Sequence, residues 1–181
     1  PIVFVPGVST SYNETLYQNL LTTTHSYGWK ACAVIDALSH GTIGGEGTAR
    51  PTLSNGSIYV HADNLTPYVN AIRGELNAWH VDMLAHSTGG LVARLYVHKQ
   101  MDVLPDGLPV VKHLMLAGTP NKGLSCTDPI GFGDAFNDQA ALAKQMSPEE
   151  MAIFNQYVTQ RKGTKFSAMV GDVVPVLCGS P

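Results

Sequence analysis

Apolar residues along the chain gather into short continuous runs, separated by segments whose apolar positions recur at helical spacing. Ile2 to Val5 is the first run, closed by Pro6-Gly7. Leu16, Tyr17, Leu20 and Leu21 then fall on one side of a 3.6-residue period. That spacing predicts a helix from near Asn13, a residue suited to capping, to Gly28. Lys30 to Ile35 reads as a second strand. Residues 36 to about 62 are rich in Gly, Ser and Thr and predict a long surface loop. A helix over about 64–79 follows, with Tyr68, Ile72, Leu76 and Trp79 on one face. Val81 to Ala85 is a third strand, Gly89 to about Lys99 a helix, and Val111 to Ala117 a fourth strand. Residues 118–163 form a long excursion with helical stretches at 134–144 and 147–160. The second opens on Ser147-Pro148-Glu149-Glu150: a cap, a proline at the first position, then acids near the positive helix end. Lys165 to Val170 is the fifth strand.

Strands alternating with helices predict an α/β fold, a mostly parallel sheet with helices on both faces. The 181 residues suffice for a single domain and are too few for two. A net charge of −3 gives no electrostatic basis for binding nucleic acid. No stretch of apolar residues is long enough to span a membrane. The histidines and acids lack ligand spacing, so no metal is expected. Of the three cysteines, Cys126 and Cys178 lie in loop-like sequence and are the expected pair if one forms; Cys32 falls in a predicted strand as a small apolar residue. Three glycosylation sequons begin at Asn13, Asn55 and Asn64. With the 14% charged residues and the many Thr and Ser, they point to a secreted protein.

The sharpest chemical signal is Ala85-His86-Ser87-Thr88-Gly89-Gly90, set between a strand run and a helical run. This is the strand–turn–helix context of a nucleophile elbow. A serine there occupies a tight turn that lifts its Oγ clear of the sheet. The residues two positions away must be small, and they are Ala85 and Gly89. The following helix aims its first amides at the place where an oxyanion forms. A second amide must come from a neighbouring strand-end loop, and Val5-Pro6-Gly7-Val8 supplies a turn of that kind. The expected oxyanion donors are the N–H groups of Val8 and Thr88.

A third motif, Leu116-Ala117-Gly118-Thr119-Pro120-Asn121-Lys122-Gly123, follows the nucleophile helix at the end of the next strand. In that order, VPG, AHSTGG and AGTPNKG resemble the serine lipases and esterases of the α/β-hydrolase superfamily, bacterial and fungal, including relatives of the lipid-anchor deacylases. The resemblance covers residues 1–123 well and is partial beyond. It implies an α/β-hydrolase fold with a helical cap or lid at 124–163, a single domain over 1–181 that is incomplete at its C-terminal part, a Ser–acid–His triad, ester or lipid substrates and no cofactor. Contact with a lipid interface is left open.

In that family the acid follows the strand after the lid, which brings Asp172 forward as the second catalytic residue beside Ser87. The histidine comes last in the order, yet His25, His40, His61, His80, His86, His98 and His113 all precede Asp172. A serine without a base is a poor nucleophile. The abrupt ends at Pro1 and Pro181 point to a fragment whose histidine lies elsewhere in the polypeptide. His40 and His61, in the predicted loop, are the alternatives within the chain. The reading is a carboxylic ester hydrolase. Its rivals are an acyltransferase on the same machinery and a catalytically dead hydrolase fold used for binding.

Overall fold

In a computed structural model of the chain, the described residues are 1–5, 7, 19, 22–24, 26–28, 31–33, 57–124 and 144–171, with the backbone alone for 31–33. Five strands form one sheet: β1 (Ile2–Val5), β2 (Ala31–Ala33), β3 (Val81–His86), β4 (Val111–Ala117) and β5 (Lys165–Met169). Their spatial order is β2-β1-β3-β4-β5, and every neighbouring pair is parallel. Three helices are described in full: α1 (Ile58–Glu75), α2 (Thr88–Lys99) and α3 (Pro148–Tyr157). The expected parallel α/β architecture is therefore present.

The register explains the core. Val3 pairs with Met83 and Met83 with Leu114, while Val5 pairs with Ala85 and Ala85 with Leu116, so these six side chains share one face. All six are buried. The connections from β2 to β3, β3 to β4 and β4 to β5 all step in the same direction across the sheet. Parallel crossovers are right-handed, so α1, α2 and α3 cover that same face. They bury Ile58, Leu65, Ile72, Leu91, Leu95 and Met151 against it. On the opposite face at β4 and β5, Met115 and Met169 are exposed among the described residues. β1 to β2 steps the other way, which assigns the helix ending at Gly28 to that second face. The described part of this helix is helical at 19, 22–24 and 26, and Gly28 closes it at φ +79.

Two boundaries differ from the sequence reading. α1 begins at Ile58, so the predicted loop ends before it and His61 is helical. Ser57 is the cap, its hydroxyl accepting from the Val60 N–H at 3.3 Å. Burial at positions 58, 61, 62, 65, 69 and 72 outweighs the extended preference of Ile58-Tyr59-Val60. Asn64 and Pro67, which imitate a helix start, lie inside the helix; the Asn64 sequon is thus helical and half-buried. At the other end the helix stops at Glu75, because Asn77 turns left-handed at φ +48. Trp79 therefore leaves the predicted apolar face and stands exposed.

Within the predicted cap region, Ser147 caps α3 through the Glu150 N–H. Met151, Phe154 and Val158 pack into the core, while Tyr157 is exposed. Residues 125–143, including the predicted helix at 134–144, lie outside the described residues, as do Cys126 and Cys178.

Candidate active site

The direction of the connections locates the site before any side chain is considered. From β1 the chain moves to one side of the sheet, and from β3 it moves to the other. The carboxyl ends of these adjacent strands therefore border the crevice where open α/β sheets bind ligands. Gly7 follows β1 there, and Ser87 follows β3.

Ser87 adopts φ 53 and ψ −130, a conformation that a residue with a side chain occupies only under strain. It sits at the cap position of α2, yet its hydroxyl makes no capping hydrogen bond. Its N–H donates to Ala117 O at 2.9 Å, and its carbonyl accepts from the Gly90 N–H at 3.0 Å. The backbone is thus held on both sides, while the hydroxyl is left to the crevice. Thr88, the expected oxyanion donor, is the first residue of α2 and is buried.

Two glycines make this turn sterically feasible. A Cβ on Gly7 would stand 2.6 Å from Ser87 Cβ and 3.1 Å from Ser87 Oγ. A Cβ on Gly90 would stand 1.9 Å from Thr119 Oγ1. Residues of all three sequence motifs therefore pack together: Gly7 lies against Ser87, and Thr119 lies against Gly90 of α2. Thr119 Oγ1 is buried without a hydrogen-bond partner among the described residues, so packing on Gly90 is what holds it. Val8 and Asp172, the expected second oxyanion donor and triad acid, lie outside the described residues, as do His25 and His40.

The described histidines are engaged in other ways. His80 Nδ1 lies 2.7 Å from Pro109 O. His98 Nδ1 accepts from the Gln160 N–H at 3.1 Å. His86 ends β3, and partial burial lowers its pKa below the usual histidine value. His61 is fully buried in the first turn of α1. That turn lies near the carboxyl edge of the sheet, where Gln145 Oε1 accepts from the Ile58 N–H at 2.9 Å.

An Asp–His pair does exist, and sequence alone does not reveal it. His113 Nδ1 lies 2.8 Å from Asp82 Oδ1 across β3 and β4. Asp82 is the second residue of β3, so Ser87 is five residues further along a strand rising ~3.3 Å per residue. The pair therefore sits about 16 Å from Ser87, toward the amino edge of the sheet, out of reach of its hydroxyl. The only advance signal is polarity inside otherwise apolar strand runs. Among the described residues no group of His, Cys, Asp and Glu is arranged to hold a metal.

No protein-family model and no curated protein sequence matches the chain. Solved structures do. The mature form of the lipase BlEst2 from Bacillus licheniformis superposes with a TM-score of 0.69 at 15% identity, covering 93% of this chain and 64% of that one. Phospholipase PlaB from Legionella pneumophila gives 0.65 at 14% identity, covering 92% of this chain and 38% of that one. The product of gene lin2722 from Listeria innocua gives 0.52 at 13% identity, covering all of this chain and 89% of that one. The chain thus has the α/β-hydrolase fold of lipases and esterases, as its motifs imply. It spans under two thirds of BlEst2 and under half of PlaB.

Proposed function

We propose that this chain carries the nucleophile of a serine carboxylic-ester hydrolase. The observation that supports it most is Ser87 itself: a strained residue at the switch point of the sheet, with an uncapped hydroxyl and Gly7 packed against it. Strain of this kind costs about 1–3 kcal/mol and persists where function requires it. In this reading Ser87 Oγ attacks the acyl carbon of the ester, and a histidine takes its proton. The amides of Thr88 and Val8 hold the oxyanion of the tetrahedral intermediate, each donor contributing roughly 3 kcal/mol. The histidine then protonates the departing alcohol, and water repeats the cycle on the acyl-enzyme. Asp172 orients the histidine, which we assign to a part of the polypeptide outside these 181 residues. The substrate is an ester or lipid.

The test is intact mass after treatment with a fluorophosphonate probe. A single adduct that is absent in Ser87→Ala is the expected result. An unmodified serine in a protein whose measured mass is that of these 181 residues overturns the reading and leaves a binding module.

A further inference from the structure

A cavity of about 620 Å³ lies between α2, α3 and the β4–β5 half of the sheet, and Ser87 does not line it. Its volume is that of a small-molecule site. Arg94 reaches it from α2, seven residues past Ser87 and therefore about 10 Å along the helix axis. Leu116, Phe166 and Ala168 give it apolar lining, and Lys122 and Arg161 are exposed, with the Arg161 guanidinium 5.1 Å from the Phe166 ring centre.

The cavity's charge is one-sided. Arg94, Lys122 and Arg161 line it, and no Asp or Glu does among the described residues. Among the described residues the ion pairs join Lys99 to Asp63 and His113 to Asp82 and involve none of these three. Arg94 is half-buried, where a guanidinium normally has a carboxylate. Its partners are instead two neutral amides: it donates to Asn121 Oδ1 and to Asn155 Oδ1, each at 2.8 Å. Asn155 Nδ2 in turn donates to the Asn121 backbone carbonyl at 2.7 Å, which orients the Asn155 amide. The guanidinium also lies 5.1 Å from the Phe154 ring centre. Burial, then the charge of Arg161, lower the Arg94 pKa. The fold thus orients a half-buried cation and places like charges near it, with no carboxylate paired to it among the described residues.

We propose that this cavity binds a phosphate monoester, its organic part resting on Leu116 and Ala168. A dianion is favoured over a carboxylate because three cations converge and such a phosphate carries about −1.5 to −2 at neutral pH. Arginine also meets phosphate oxygens with two parallel N–H groups. The proposal is independent of the hydrolase reading, since neither Ser87 nor Thr88 lines the cavity.

The test is calorimetric titration with phenyl phosphate, run on Ser87→Ala so that turnover plays no part. Single-site binding is expected, weakened at least tenfold in Lys122→Gln and in Arg161→Gln, whose exposed side chains are not needed for folding. Arg94→Gln, checked for fold by circular dichroism, is expected to lose binding. Absent heat at millimolar phenyl phosphate overturns the proposal. So does equal affinity in the Lys122 and Arg161 variants, or an equal response to chloride at matched ionic strength. A parallel arm uses phosphatidylcholine vesicles with and without phosphatidic acid. Capture by phosphatidic acid through the same side chains assigns the phosphate to a lipid headgroup; binding of phenyl phosphate alone assigns it to a soluble ester.

Discussion

Gly7 and Ser87 touch across the ends of adjacent parallel strands: a Cβ on Gly7 would lie 2.6 Å from Ser87 Cβ, with His86 O only 3.0 Å away. Gly7 has no left-handed φ, so an alanine fits its backbone and the contact alone decides the outcome. Alanine gains up to about 1 kcal/mol from the less flexible unfolded chain. Overpacking against a backbone carbonyl and a strained serine costs about 1–3 kcal/mol. Gly7→Ala is therefore expected to lower stability by about 1–2 kcal/mol in urea unfolding. The displaced serine matters more, because a 1 Å misplacement costs about a hundredfold in rate. Fluorophosphonate labelling is expected to slow by that order; unchanged labelling would show that the two residues do not constrain each other.

The contact between Gly90 and Thr119 is tighter, since Thr119 Oγ1, Cγ2 and Cβ all come within 2.8 Å of a Cβ at position 90. Gly90→Ala adds a methyl that α2 itself favours by about 1 kcal/mol. The collision outweighs that gain, so a net loss of about 2 kcal/mol is expected. Thr119→Ala removes the two nearest atoms. The double variant is expected to recover more than 1 kcal/mol relative to additivity in a double-mutant cycle. Additive losses would mean that the two motifs are not packed as one unit.

Much of this arrangement was legible in the sequence because its signals are local. Strand runs such as Val111–Ala117 match to the residue, and the Ser147-Pro148 start of α3 follows from capping chemistry alone. Ser87 was legible because an elbow needs small neighbours in a strand–helix junction. What failed was decided at a distance. The start of α1 is set by burial of Ile58 and His61 rather than by propensity, and a left-handed Asn77 looks like any other helical polar residue. The Arg94 cavity joins residues 94, 121–122, 155–161 and 166–168, which no sequence window spans. The Asp82–His113 pair likewise depends on the shift in register between β3 and β4.

Strain at Ser87 predicts a trade between stability and chemistry. Its φ of 53 with ψ of −130 suits glycine, while any Cβ is strained there. Relief of that strain amounts to about 1–3 kcal/mol. The added freedom of an unfolded glycine opposes it by up to about 1 kcal/mol. Ser87→Gly is therefore expected to be more stable than wild type, by about 0.5–2 kcal/mol in urea, and to take up no probe. Ser87→Ala keeps its Cβ and is expected to stay within about 0.5 kcal/mol of wild type while losing the adduct equally. Equal stability of the two variants would mean that the turn is not strained in solution.

The Asp82–His113 pair offers the sharpest separation of chemistry from appearance. A carboxylate 2.8 Å from a histidine nitrogen is the arrangement that orients a general base. Its position near the amino ends of β3 and β4 keeps it from that role toward Ser87, which stands at the carboxyl edge, about 16 Å away. No rotation of the His113 side chain spans that distance. The pair is also partly exposed, with relative side-chain exposures of 45% and 29%, so solvent screens it. Asp82→Asn and His113→Gln are therefore each expected to cost under about 1 kcal/mol, and their double-mutant coupling to fall within the range of exposed pairs. Probe labelling of Ser87 is expected to match wild type in both. A hundredfold loss of labelling in either variant, at unchanged stability, would place a catalytic dyad at the wrong end of the sheet and sink the assignment of the site to the β1–β3 crevice.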